Sequence, residues 1–156
     1  MATRKSAKKR RPAPGLPSEA IEIDFVILGD YAQADRGKLN LIGGGWTVHN
    51  ATQYPSPLQF GVGIGILVPW SLTNRSHKFE MLIKGSEGPG PDLLKGDGEF
   101  EVGREMGIPA GMTQRVTLGI SGQLQVPEPG TYEIIVSVAD ASKRVTFEAL
   151  PLKRSR

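Results

Sequence analysis

Gly37-Lys38-Leu39-Asn40-Leu41-Ile42-Gly43-Gly44-Gly45-Trp46 reads as a strand interrupted by three consecutive glycines. Before the interruption the apolar side chains fall on odd positions, Leu39 and Leu41; after it they fall on even ones, Trp46 and Val48. Side chains in a strand alternate between faces, so one extra residue returns both halves to a common face. A β-bulge supplies that residue, and glycine accepts the positive φ that some bulges require. The rival reading is a tight glycine turn closing a hairpin; the bulge is the preferred expectation. Neither carries chemistry, and the sequence speaks of architecture, tails and partners more than of a reaction.

The clearest strand lies just downstream. Leu58, Phe60, Val62, Ile64, Ile66 and Val68 point one way, while Gln59, Gly61, Gly63, Gly65 and Leu67 point the other. Each interior glycine weakens a strand by about 0.5–1 kcal/mol relative to alanine. A row of three is therefore expected to lie under a bulky side chain, with Trp46 as the first candidate and Trp70 as the second. The alternative is a groove for a partner's extended backbone, made of Gly61, Gly63 and Gly65 and flanked by Trp46 and Trp70.

Outward from this centre the pattern stays β. Ile21, Ile23, Phe25 and Ile27 alternate with Glu22 and Asp24 to give a half-buried first strand, followed by a polar loop from Tyr31 to Arg36. Further strands are expected around Phe79–Ile83, Phe100–Val102, Val116–Ile120, Tyr132–Val138 and Val145–Ala149, with a long glycine-rich loop from Gly85 to Gly98. Eight strands and no convincing helix predict an all-β chain. The Pro129-Gly130-Thr131-Tyr132 entry, where a tyrosine can close a corner, selects a single antiparallel β-sandwich of immunoglobulin-like type.

A chain of 156 residues suffices for one domain with a real core. Its net charge of +3 conceals a segregation. Residues 1–17 carry Arg4, Lys5, Lys8, Lys9, Arg10 and Arg11 without an acid, and residues 153–156 add Lys153, Arg154 and Arg156. The remaining 10 basic side chains share residues 18–152 with all 16 acidic ones, so the body is net −6. Residues 1–17 are too polar and proline-rich to order themselves. They read as a disordered basic arm that could meet nucleic acid or another polyanion, or could simply solubilise the chain. The domain expectation is an arm at 1–17, a sandwich at 18–152 and a basic tail at 153–156.

Absent cysteine removes disulfides, thiolate metal sites and cysteine nucleophiles. No apolar run matches a membrane span or a secretory signal, so the expectation is a soluble cytoplasmic protein. His49 and His77 are the only histidines, and each stands without a nucleophile or acid at motif spacing. Asp30 and Asp35 flank the polar loop as turn formers rather than calcium ligands. No catalytic residue, metal or cofactor is assigned.

Several pieces together resemble a family of small, uncharacterised bacterial β-sandwich proteins. They are Asp24-Phe25-Val26-Ile27-Leu28, Asp30-Tyr31-Ala32-Gln33, the Gly37–Trp46 stretch, Val68-Pro69-Trp70, Gly98-Glu99-Phe100-Glu101-Val102-Gly103-Arg104 and Pro129-Gly130-Thr131-Tyr132. The resemblance covers most of residues 21–150 and leaves the arm outside. It implies an immunoglobulin-like sandwich from a bacterium and no activity. The functional expectation is a non-enzymatic binding or adaptor module for an unknown protein partner, with the arm adding electrostatic attachment. The alternative is a coat-like, nucleic-acid-associated protein; a weaker one is an enzyme with an unrecognised loop site.

Overall fold

The computed structural model describes residues 19–88 and 90–153. Ten strands form: β1 (Glu22–Gly29), β2 (Tyr31–Asp35), β3 (Lys38–Ile42), β4 (Val48–Ala51), β5 (Ser56–Val68), β6 (Ser76–Gly85), β7 (Leu94–Glu101), β8 (Gln114–Val126), β9 (Gly130–Val138) and β10 (Ala141–Pro151). They make a three-stranded sheet β1-β5-β8, a five-stranded sheet β4-β10-β9-β6-β7 and a separate hairpin β2-β3. The all-β expectation holds. The single antiparallel sandwich of eight strands is corrected, because β4 pairs parallel with β10 and the hairpin forms a sheet of its own.

The two larger sheets share one apolar core. Phe60, Val62, Ile64, Ile66 and Val68 of β5, with Val26 and Leu28 of β1, are buried together with Met81, Ile83, Ile134, Val136, Val138 and Phe147 of the five-stranded sheet. Full burial of each such side chain is worth about 1.5–3 kcal/mol, so this layer dominates stability. Tyr132 enters the core and donates from its hydroxyl to the Glu128 carbonyl at 2.6 Å, closing the expected corner. Its ring stacks on Phe147 at 5.4 Å between centroids.

A bulge exists, but in β1 rather than in the glycine stretch. The register shifts between Ile23, opposite Ile66, and Phe25, opposite Gly65, leaving Asp24 as the extra residue. Ile21 and Ile23 therefore share the core face with Val26 and Leu28, while Phe25 and Ile27 turn outward. The bulge is held from two sides: Lys143 Nζ donates to the Asp24 carbonyl at 2.9 Å, and Arg115 pairs with the Asp24 carboxylate.

The three glycines make neither the bulge nor a hairpin. Gly43 at φ 60° and Gly45 at φ 91° form a turn that carries the chain from the outer hairpin to the far sheet. The Gly45 N–H donates to the Leu28 carbonyl at 2.7 Å, and the chain then joins β10 in parallel as β4. Two expected loops are also strands in part. Tyr31–Asp35 is β2, and Leu94–Glu101 is β7, which shortens the glycine-rich loop to residues 86–93. Gly98 of β7 lies under the Phe79 ring, 2.7 Å from where a Cβ would stand, so an aromatic fills the place of the missing side chain.

Candidate functional site

The glycine row on β5 is covered, as its cost required, but by neither tryptophan. Phe25, directly opposite Gly65, lays its ring over that residue; Leu39 of β3 reaches within 2.6 Å of a Cβ built on Gly63; and the backbone of Tyr31 and Ala32 rests on Gly61. On β8, Gly119 receives the backbone of Gln33 at 2.6 Å in the same sense. Ser121 Oγ accepts from the Ala32 N–H at 2.8 Å and donates to the Ala32 carbonyl at 2.7 Å, replacing a neighbouring strand for that one residue. The groove for an extended chain is thus occupied by the protein's own β2-β3 hairpin.

Both tryptophans work elsewhere. Once past the glycine turn, Trp46 faces the five-stranded sheet and meets Phe147 edge-on at 5.6 Å. Trp70 sits in a short 3-10 turn (Trp70–Leu72) beneath the Arg104 guanidinium, 4.4 Å from its ring centre. Arg104 Nε also donates to Thr73 Oγ1 at 2.8 Å, so this group fastens the β7–β8 connection. The groove residues Gly61, Gly63 and Gly65 therefore do not converge with Trp46 and Trp70.

The two histidines are each satisfied locally. His77 Nε2 donates to the Leu72 carbonyl at 2.7 Å, beside the Phe100 ring. His49 Nε2 lies 3.0 Å from Ser56 Oγ, and burial pushes its pKa below the ordinary imidazole value. A neutral imidazole next to a hydroxyl is the first half of a nucleophile pair. Here the hydroxyl belongs to a buried residue and no hydrogen bond orients Nδ1 among the described residues, so the pair is a strut between β4 and β5. Among the described residues no three His, Asp or Glu side chains gather as a metal would need. No helix there is long and apolar enough to cross a membrane.

The open edge of β4 is the feature that sequence reasoning missed. The Glu148 N–H donates to the Thr47 carbonyl and the Leu152 N–H to the Ala51 carbonyl, both at 2.8 Å. Backbone groups alternate along a strand, so Thr47, His49 and Ala51 address β10, while Val48 and Asn50 turn their N–H and C=O outward. Beside that edge is a cleft of about 380 Å³ lined by Asp30, Gly43, Trp46, Val48 and Leu58 among others. Three of the eight exposed large apolar residues lie on or next to β4: Val48 at 42% exposed, Leu150 at 42% and Leu152 at 52%. Val48, Leu150 and Leu152 share the outer sheet face, because Val48 stands opposite Glu148. The signal for this edge in the sequence was slight, since Val48-His49-Asn50-Ala51 is short and polar at its centre. The six basic residues Arg4, Lys5, Lys8, Lys9, Arg10 and Arg11 lie outside the described residues.

Among the described residues the site consists of an unpaired strand edge with exposed apolar side chains beside it. The chain belongs to a family of unknown function (DUF6941), which matches residues 24–148. That span runs from the β1 bulge to near the end of β10 and leaves the arm outside. No curated protein matches it.

Proposed function

We propose that this protein is a non-enzymatic binding module whose partner surface is the corner at the open edge of β4. One observation supports this most: three of the eight large apolar side chains exposed among the described residues, Val48, Leu150 and Leu152, lie at one unpaired strand edge. Contiguous exposed apolar surface marks interaction sites, and an unpaired edge offers main-chain hydrogen bonds to an extended chain. The shared core of two sheets, with Tyr132 closing a corner, supports reading the scaffold as a sandwich of the immunoglobulin-like sort. The test is a photo-crosslinking residue placed at Val48 or Leu150 in cells, with the fully exposed Met106 as control. Crosslinks to a protein at the corner and none at Met106 support the reading, and equal crosslinking at all three positions overturns it.

A second reading rests on the charge segregation, with 9 of 19 basic residues at the two ends and all 16 acidic ones between them. In it the arm attaches the module to nucleic acid while the acidic body stands away from the polyanion. The two readings combine without conflict, since arm and corner are separate parts of the chain.

A further inference from the structure

We infer that the occupant of the β4 edge is a second copy of this chain, paired antiparallel about a twofold axis at His49. The inference rests on reading that corner as an interaction surface, and it names the partner. Val48 and Asn50 both turn their main-chain donors and acceptors outward and both point their side chains to the outer face. Directly opposite residues of an antiparallel pair share a face, and those whose N–H and C=O point across the gap exchange both hydrogen bonds. Setting Val48 opposite Asn50 of the second copy meets both conditions at once, and the same operation sets Asn50 opposite the second copy's Val48. His49 then falls on the axis. A shift by one residue would oppose inward to outward side chains, and a shift by two would set only Val48 opposite Val48 or Asn50 opposite Asn50 within β4; the register about His49 is the one that pairs both outward residues inside the strand.

Charge follows the same symmetry. At the start of β4 stands Asp30, whose N–H donates to the Ile42 carbonyl at 2.9 Å and whose carboxylate lies over Gly43. At the end of β4 stands Lys153, next to Leu152, whose N–H is bonded to Ala51. Acidic Asp30 and basic Lys153 thus lie toward opposite ends of the edge. A twofold axis between them brings each Asp30 end to the Lys153 end of the other copy. An interface of this kind is isologous, closes at two copies and joins the five-stranded sheets into one continuous sheet. It also removes an open edge that would otherwise recruit chains indiscriminately.

The full chain contains no cysteine, which makes trapping direct. Mixing Val48→Cys protein with Asn50→Cys protein under mild oxidation should give a 48–50 linked dimer, whereas Val48→Cys alone should give far less. Sedimentation of the full chain over a dilution series should show a monomer–dimer equilibrium. Val48→Lys should weaken it, and Asp30→Lys and Lys153→Glu should each do so by about tenfold, while the two reversals together recover most of the loss. Circular dichroism of each variant separates misfolding from lost association. A chain monomeric at every concentration, or a dimer indifferent to Val48→Lys and without the 48–50 link, overturns the inference. If the chain is monomeric and a probe at Val48 still captures another protein, the second copy is wrong and the corner reading stands. If the linked dimer forms and the probe captures only this chain, the inference stands and the reading of a different protein partner falls.

Discussion

The Nε2 atom of His49 lies 3.0 Å from Ser56 Oγ, so the edge strand of one sheet is tied to the first residue of a 13-residue strand in the other. Tyr54 adds a second tie, its hydroxyl donating to the Leu150 carbonyl at 2.9 Å. Together these contacts hold β4, four residues long, in place beside β10.

Burial lowers the His49 pKa below its ordinary 6.5. As pH falls the unfolded chain therefore binds the proton before the folded one does. The stability His49 contributes is complete above 6.5 and drains as pH drops from there toward the lowered folded value. His49→Asn keeps a polar side chain and removes the titration. Urea unfolding at about pH 7.5 and about pH 5 should show a smaller acid loss in the variant than in the parent. Identical losses would mean the ring is protonated equally in both states.

The glycines of the outer face should differ in what they tolerate. A Cβ on Gly61 or Gly119 meets backbone, which cannot move aside, whereas on Gly63 it meets the end of the Leu39 side chain, which can rotate. Gly61→Ala and Gly119→Ala should each cost about 2–3 kcal/mol, and Gly63→Ala less than about 1. Gly63→Val should destabilise more than Gly63→Ala although valine is the better strand former. Chemical denaturation gives the ranking, and equal costs at all three sites would contradict the backbone contact.

Ser121→Ala should release the hairpin locally without unfolding the core. It leaves the N–H and C=O of Ala32 without their Ser121 partner, for a cost of about 1–2 kcal/mol. Hydrogen exchange at the Ala32 amide should accelerate, while amides of β9 stay protected. Uniform acceleration would show that hairpin and core open as one unit.

Polyanion binding, if the arm confers it, should depend steeply on salt. Six basic residues give a slope of up to about −5 in log K against log salt. A chain of residues 18–152 should lose the affinity altogether. Equal binding by the full and trimmed chains in a filter or fluorescence assay would place the site on the body instead.

Much of the fold was legible where apolar side chains alternate with polar ones. Leu58 to Val68 announces β5, its glycine row announces close contact, and Pro129-Gly130-Thr131-Tyr132 announces the corner. Legibility failed where small residues replace large ones. Ala32 is buried against the sheet, and Tyr31, Gln33 and Asp35 point to solvent, so β2 resembles a polar loop. Gly96 and Gly98 sit on the inner side of β7, where a half-buried strand ordinarily shows apolar side chains, so that strand merged with the loop before it. In β1 the alternation Ile21, Ile23, Phe25, Ile27 was unbroken and therefore misleading, because the bulge at Asp24 moves the core face to Val26 and Leu28. The open edge of β4 left only a slight signal, since parallel pairing with β10 joins segments about a hundred residues apart.

The attachment of the β2-β3 hairpin to the sheet makes the two sides answer to mutation differently. At Gly61, Gly119 and Ser121 the contact is with main-chain atoms of Tyr31, Ala32 and Gln33, and main-chain atoms are the same whatever side chain follows them. The hairpin can therefore exchange its outward letters, Tyr31, Gln33, Asp35, Lys38 and Asn40, at little cost, whereas the sheet beneath is bound to its glycines and its serine. The outermost layer of the molecule is the part freest to acquire a new surface, on a foundation whose Gly61 and Gly119 leave no room for a side chain.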